Sequence, residues 1–308
     1  MSKKIFQLTQ LKLTALFFFF PLLCLAQTEM DAIMMNKNQF CNGPIYEHSS
    51  WDHYWEGTFH RDNANMGTVT TQMLMFMSNY GISDNFNIMA SASYVWTKAS
   101  AGTLHGMKGL QDLSMFLKWR PITKSFGKNK ISVFGIGGFS TPLTNYAIDF
   151  LPMSIGLGST NLTARGMVDY SHRRFTITGS AAYIRRSNVK LDRDSYYDTQ
   201  LHLTNEVKMP NASYYQLRTG YRGKYLIAEA LLTNMTTLGG FDITKNNMPF
   251  PSNKMNSTMV GGYVKYTLKP LTNLEFVGGA NYTVAGRNVG QATSIYAGIF
   301  YVVQLGKK

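Results

Sequence analysis

The feature that most constrains this chain is a two-residue alternation of apolar and polar side chains over unusually long segments. From Phe86 to Trp96 every second residue is apolar, and the residues between them are largely polar or small. Segments 112–120, 174–186 and 274–283 repeat the pattern. Because successive side chains of an extended chain point to opposite faces, each segment is predicted to be a β-strand with one apolar and one polar face.

The length of these strands separates two folds that share the alternation. A soluble sandwich has the same two faces, but its strands have a mode of about 5 or 6 residues. The segments here are about twice that long, which is enough to cross a bilayer when tilted. Aromatic residues end the apolar faces, as interfacial girdles require. They are Trp96, Trp119, Tyr183, Tyr221, Tyr266 and Tyr282. The predicted fold class is therefore all-β, a membrane-spanning antiparallel up-and-down β-barrel.

Turn and loop residues divide the chain into about 12 strands, an even number as barrels of this kind have. The predicted strands are 50–61, 67–80, 84–98, 110–120, 130–140, 161–171, 174–186, 211–222, 224–235, 256–268, 273–284 and 292–305. Tight turns alternate with mostly longer polar connections. Outer-membrane barrels have short periplasmic turns and long extracellular loops. The N-terminus and the tight turns are therefore predicted to be periplasmic.

The N-terminus predicts export. Lys3 and Lys4 precede an apolar run from Leu13 to Leu25, and small Ala26 suits cleavage before Gln27. A membrane-spanning helix would need about 20 apolar residues, and this run is shorter. The predicted organisation is a signal peptide at 1–26, an N-terminal periplasmic segment at 27–49 and a transmembrane β-barrel at 50–308. Export and a barrel together predict the bacterial outer membrane.

Charge and cysteine content limit the partners. The formal net charge is +13, which suits nucleic acid or anionic lipid headgroups. Because an exported chain does not meet nucleic acid, the predicted partners are outer-membrane lipids and lipopolysaccharide, together with a small-molecule solute. Removal of Cys24 with the signal leaves Cys41 alone, which excludes an intramolecular disulfide and a cysteine-based zinc site. The histidines lack metal-ligand spacing, so no metal and no cofactor are predicted.

One stretch of the chain carries a family resemblance. It contains Tyr54-Trp55-Glu56-Gly57, Arg61, Asn63, Asn65-Met66-Gly67, Tyr80-Gly81-Ile82, Gly109-Leu110-Gln111-Asp112-Leu113 and Lys118. From about Trp51 to Arg120 the sequence resembles the outer-membrane transporter-like family grouped with the MetA-pathway phenol-degradation proteins, which are FadL-like in the broad sense. The family usually has Gly-Asp where this chain has Gln111-Asp112. The resemblance implies a channel or transporter-like barrel for passive uptake of small, often hydrophobic or aromatic compounds.

Alternation places charged residues of both signs on the inward face. The candidates for the lumen and its selectivity are Glu56, Asp112, Lys118, Arg120, Arg165, Asp169, Arg174, Arg218, Glu229, Lys265 and Glu275. Charges that line a pore select the solutes that enter. In an open lumen the basic members of the set would favour anions such as carboxylated aromatics. The alternative is a plugged structural barrel without transport, in which buried charges must be paired.

Lipid modification is the second functional class, because some outer-membrane barrels are enzymes. It would need a Ser–His pair with an orienting Asn or Asp on the exterior face. Ser171-His172 falls at a predicted periplasmic turn, and His60 has no serine two positions on. No catalytic residue is therefore predicted, and the chain is expected not to be an enzyme.

Overall fold

The computed structural model describes residues 28–243 and 249–306. Twelve long strands of this part pair in antiparallel fashion and close into a barrel, which confirms the predicted fold class. In chain order they are β1 (Gln39–Trp51), β2 (Val69–Ser83), β3 (Phe86–Ala99), β4 (Lys108–Phe126), β5 (Asn129–Pro142), β6 (Asn161–His172), β7 (Phe175–Arg186), β8 (Ala212–Arg222), β9 (Leu226–Thr237), β10 (Asn256–Thr267), β11 (Leu274–Arg287) and β12 (Thr293–Gln304). Pairing of β1 with β12, which sets Gln39 opposite Gln304, closes the barrel. No helix in the described ranges is long and apolar enough to span a membrane.

The predicted first strand, 50–61, is wrong. The barrel begins at Gln39, so the expected boundary at residue 50 is too late, and the residues after β1 form a short hairpin of His53–Glu56 with Phe59–Asp62. Gly43-Pro44 interrupts the alternation of β1, because glycine and proline both weaken a strand signal. Pairing with β12 and β2 nevertheless holds this segment in the wall. The predicted signal peptide at 1–26 lies outside the described residues.

The two ends of the barrel differ in their connections. One end has tight turns, at 84–85, 127–128, 173–174, 223–225 and 268–273, and both ends of the closed sheet, Gln39 and Gln304, lie there. The other end carries the longer connections 52–68, 100–107, 143–160, 187–211 and 238–255. We assign the tight-turn end to the periplasm and the other to the outside, following the habit of outer-membrane barrels.

The wall has an apolar exterior. Trp119 is 53% exposed and Leu232 46%, and Phe76, Leu217 and Ile299 are similarly open. Lys118, by contrast, is fully buried on the inward face of the same strand as Trp119. An exposed apolar belt of this extent requires contact with lipid. Because the sheet is closed, none of its twelve described strands has a free edge, and the backbone N–H and C=O groups pair between strands.

Residues 28–38 lie inside the periplasmic half of the barrel and are named here the plug. Ile33 and Met35 of the plug are buried in one apolar cluster with wall residues such as Met77 and Phe300. Asn38 turns the chain from the plug into β1 with a φ of 61°, which asparagine tolerates better than most residues. Gly81 of β2 is needed at this turn, because a Cβ there would lie 2.1 Å from the Asn36 carbonyl oxygen. The plug therefore consists of residues that were predicted to belong to the periplasmic segment 27–49.

The outer loops pack on one another at the opposite end. Their apolar cluster takes residues from the connections 143–160, 187–211 and 238–255, namely Ile148, Val189, Leu191, Tyr196, Val207, Met209 and Phe250. Connection 143–160 also reaches the inner wall, where Thr97 donates its hydroxyl to the Met153 carbonyl at 2.7 Å. The lumen is thus bounded by the plug on one side and by packed loops on the other.

Candidate functional site

A cavity of about 430 Å³ lies in the lumen on the outer side of the plug. Thr28, Glu29 and Met30 of the plug form part of its lining, and the wall strands form the rest. Volumes of about 300 to 1,000 Å³ are usual for small-molecule sites. The cavity is therefore large enough for a small aromatic compound.

The lining combines apolar, aromatic and hydrogen-bonding groups. Its apolar and aromatic members are Ile45, Met75, Met77, Phe116, Tyr214, Leu231, Met259, Tyr263, Val277, Tyr296 and Phe300. Its polar members on the wall are Glu47, Ser91, Ser93, Gln111, Asp112, Ser114, Gln216, Arg218, Thr233 and Asn281. A surface that combines apolar and hydrogen-bonding groups suits a ligand with an apolar body and one polar end.

Lys118 anchors the plug to the wall. Its ammonium group donates to the carbonyl oxygens of Thr28 and Ile33, each at 2.8 Å, and lies 3.1 Å from the Asp31 carboxylate. Lys118 and Asp31 are both at most 1% exposed. A buried cation with a carboxylate and two carbonyl partners is satisfied. This predicted selectivity residue therefore holds a structural element in place.

Four further charges form a chain across β6, β8 and β9. Arg218 donates to Glu229 Oε2 through Nε at 2.8 Å and Nη2 at 2.7 Å. Arg222 joins Glu229 Oε1, at 2.7 Å, to Asp169 Oδ1, at 2.8 Å. Charge-assisted bonds of this kind are short and strong. The structure thus brings three predicted site residues together and adds Arg222, the last residue of the predicted strand 211–222.

Lys265 and Glu275 form a third buried pair in the same half of the barrel. The ammonium nitrogen lies 3.3 Å from Glu275 Oε1, and Thr267 donates its hydroxyl to the same oxygen at 3.3 Å. Both charged residues are at most 1% exposed. Every predicted charge in the periplasmic half that is buried thus has an oppositely charged neighbour, as the cost of burying ions requires.

Asp112 and Arg165 occupy the outer half. Asp112 lines the cavity and accepts a hydrogen bond of 2.8 Å from the hydroxyl of Tyr146 in connection 143–160. The Arg165 guanidinium stacks 5.1 Å from the centre of the Tyr214 ring and donates to Ser180 at 3.1 Å. These two residues lie inward, as alternation predicts.

Glu56, Arg120 and Arg174 do not line the lumen, contrary to the prediction. Glu56 belongs to the hairpin after β1 and pairs with Arg61 at 2.6 Å. Its misplacement follows from the wrong first strand. Arg120 donates to the Asp84 carbonyl at 2.9 Å at a periplasmic turn, and Arg174 precedes β7 in another turn. Both belong to the rim because the inward face ends before them.

Several functional candidates escaped the sequence analysis. Glu29 and Asp31 were missed because nothing local indicates that the plug enters the barrel, and Glu47 because β1 was missed. Arg222 could have been found, since it continues the two-residue period that places Arg218 inward. For the enzyme alternative, Ser171 and His172 are successive residues of one strand, so their side chains point to opposite faces. Among the described residues no group of three potential ligands is placed to hold a metal ion.

Ion pairs also order the outer connections. His53 lies 2.7 Å from Asp52 and 2.9 Å from Asp62, and its hydrogen bond with Asp52 raises the pKa of His53. At the outer end of β11, Arg287 donates to Asp242 of connection 238–255 through Nε at 2.8 Å and Nη2 at 2.5 Å. These bonds lower the pKa of Asp242 to about 2. The Arg287–Asp242 ion pair therefore cross-links the outer rim at neutral pH.

Comparison with known proteins supports the fold. No family model matches the sequence, and no curated protein is similar to it in sequence. The solved structure of the COG4313 outer membrane channel from Pseudomonas putida F1 is similar, with a TM-score of 0.70 and 11% identity over 90% of this chain and 100% of that chain. At this identity the likeness shows a shared fold, so the MetA-pathway grouping stays a prediction.

Two further structures are more distant. The translocator domain of the autotransporter NalP from Neisseria meningitidis has a TM-score of 0.44 and 9% identity, over 87% of this chain and 89% of that chain. The CymD monoaromatic hydrocarbon channel has a TM-score of 0.38 and 11% identity, over 89% and 90%. Both are barrels that differ from this chain in detail. With its closed sheet of twelve strands and its apolar exterior, this chain is an outer-membrane β-barrel.

Proposed function

We propose that this protein is an outer-membrane channel for the passive uptake of small compounds with an apolar or aromatic body. The lumen cavity carries the proposal, because three tyrosines, four methionines and two phenylalanines line it together with hydrogen-bonding groups. Methionine and aromatic side chains contact flat apolar ligands well, and methionine adapts its shape. Asp112 and Arg218 are the predicted selectivity residues that line this cavity.

The plug sets the condition for transport. It fills the periplasmic half of the lumen beneath the cavity and is held there mainly by Lys118 and apolar contacts. A solute that has entered from the outside must therefore pass the plug, which rearranges or leaves. A path that a plug closes opens only when the plug moves. The protein would therefore act as a gated channel and not as a wide pore.

The test uses purified protein in a planar bilayer and a neutral aromatic alcohol, 2-phenylethanol. We expect a small ion current that the alcohol reduces in a concentration-dependent way. Ser91→Trp should lower both the current and its sensitivity to the alcohol, because Ser91 lines the cavity. Ala92→Trp is the matched control, since Ala92 faces lipid on the same strand.

A structural barrel is the second candidate, and the pairing of its buried charges favours it. That function predicts no current and no binding of the alcohol, with retention of the heat-resistant folded form on a gel. Such a result for the wild-type chain would overturn the channel proposal. Equal effects of Ser91→Trp and Ala92→Trp would instead show that the cavity does not lie on the transport path.

A further inference from the structure

The cavity differs in charge from the lumen as a whole. Glu29, Glu47 and Asp112 line it, and Arg218 is the one cation among its described lining residues. Arg218 already gives Nε and Nη2 to Glu229, so its charge is balanced. The basic inward residues that would attract anions are thus paired or lie elsewhere, and carboxylates dominate the cavity.

Glu47 is the carboxylate with the least compensation. It contacts the Ser294 hydroxyl, and no cation pairs with it among the described residues. Asp112, by comparison, receives the Tyr146 hydroxyl at 2.8 Å, and Glu29 lies in the field of Arg165. A half-buried carboxylate with one hydroxyl partner keeps lone pairs for further donors.

Tyr296 stands beside Glu47. The two residues are directly opposite each other in the β1–β12 pair, and both line the cavity. Opposite residues of an antiparallel pair have Cβ atoms about 4.5 to 5.5 Å apart. The rings of Tyr214 and Tyr263 already have a guanidinium 5.1 Å from their centres, whereas the described residues place no cation over Tyr296. An aromatic face next to a carboxylate is a combination that attracts ammonium groups.

Gln216 is an independent indication that a hydrogen-bond donor binds in the cavity. It lines the cavity and is 7% exposed, and its Oε1 accepts no hydrogen bond within the described part of the chain. A buried acceptor without a donor costs about 1 to 3 kcal/mol. A ligand that carries N–H groups would remove that cost, whereas a carboxylate ligand would add repulsion.

We infer that the cavity is an ammonium-binding site for small arylalkylamines, in which Glu47 and Tyr296 hold the ammonium group. The apolar body then contacts the methionine and phenylalanine side chains of the lining, such as Met75 and Phe300. This inference rests on the proposed function, because it names the substrate class of the same cavity. It also reverses the anion preference that the basic inward residues suggest from the sequence.

The experiment compares three probes of similar size by titration calorimetry and by block of the bilayer current at pH 7. They are phenethylammonium, neutral 2-phenylethanol and the anion phenylacetate. We expect phenethylammonium to bind at least about tenfold more tightly than either of the others, an advantage of about 1.4 kcal/mol. Glu47→Gln should abolish that advantage, so that phenethylammonium and 2-phenylethanol bind with similar affinity. Tyr296→Phe should keep the advantage, and Tyr296→Leu should reduce it.

Different failures have different meanings. Equal binding of amine and alcohol, or tighter binding of phenylacetate, would overturn the inference while leaving the channel proposal intact. Absence of binding and of current for all three probes would overturn both. If Glu47→Gln does not fold, the ranking of the three probes on the wild-type chain decides the question alone. His48→Gln is the matched control, since His48 neighbours Glu47 and points to the opposite face.

Discussion

The two halves of the lumen treat charge differently. In the periplasmic half, Lys118, Arg222 and Lys265 each contact a carboxylate within 3.3 Å. In the outer half, Glu47 and Asp112 face a cavity with hydroxyl partners instead of cations. Inward charge in a small barrel therefore has two roles. Where the chain supplies a counter-ion the charge supports the fold, and where it does not we propose that the charge binds a solute.

The largest expected effect tests the assignment of the two ends. A cysteine placed at Ser195, in a long connection, should react with a membrane-impermeant maleimide on intact cells. One placed at Thr272, in a tight turn, should react only after the outer membrane is permeabilised. The reason is that long connections face the outside in outer-membrane barrels. The opposite pattern of labelling would place the plug at the cell surface and the packed loops in the periplasm.

A second effect concerns the charge chain of the periplasmic half. Glu229→Gln removes the carboxylate that Arg218 and Arg222 share. We expect it to lower the free energy of unfolding by about 3 to 5 kcal/mol, because the buried Arg218 guanidinium loses its carboxylate partner and Arg222 keeps only Asp169. Denaturant titration in detergent, followed by the heat-resistant band on a gel, measures the loss. Asp112→Asn is the control in the outer half and should cost less than about 1.5 kcal/mol. Similar losses for both variants would contradict the comparison.

The anchor of the plug gives a smaller effect on stability and a separate effect on transport. Asp31→Asn leaves Lys118 with two carbonyl acceptors, so we expect a loss of about 1 to 3 kcal/mol. The bilayer current should rise, because the plug is held less firmly. An unchanged current in Asp31→Asn would show that the plug does not close the path.

The smallest effect is expected at the outer rim. Because the bond with Asp52 raises the pKa of His53, the protonated ring stabilises the hairpin of residues 53–62. This contribution is fully present below the unfolded pKa of about 6.5 and is lost as pH rises through the higher folded pKa. Amide hydrogen exchange, corrected for intrinsic rates, should show more protection of the hairpin at pH 5.5 than at pH 9. His53→Gln should remove the difference. Greater protection at pH 9 in the wild type would contradict this sign.

Most of the wall was predictable because the signal for it is local. Eleven of the predicted strands overlap β2 to β12, and their inward and outward faces follow from the alternation. The prediction of the first strand failed because Gly43-Pro44 breaks that local signal. In the structure, pairing with β12 holds this segment in the wall despite the break. Inward charges such as Lys118, Asp169 and Glu275 were found for the same local reason, whereas the plug residue Asp31 was not.

The sequence by itself determined that the chain forms long two-faced strands, because side-chain direction along a strand depends only on neighbouring residues. Only the tertiary structure decided which charges are paired. Lys118 meets Asp31 from the plug, and Arg222 of β8 meets Asp169 of β6, two strands away. Such contacts depend on closure of the barrel and on the path of residues 28–38, which no local pattern encodes. The cavity keeps the inward charges that have no partner among these pairs. They can therefore be identified only from the closed barrel.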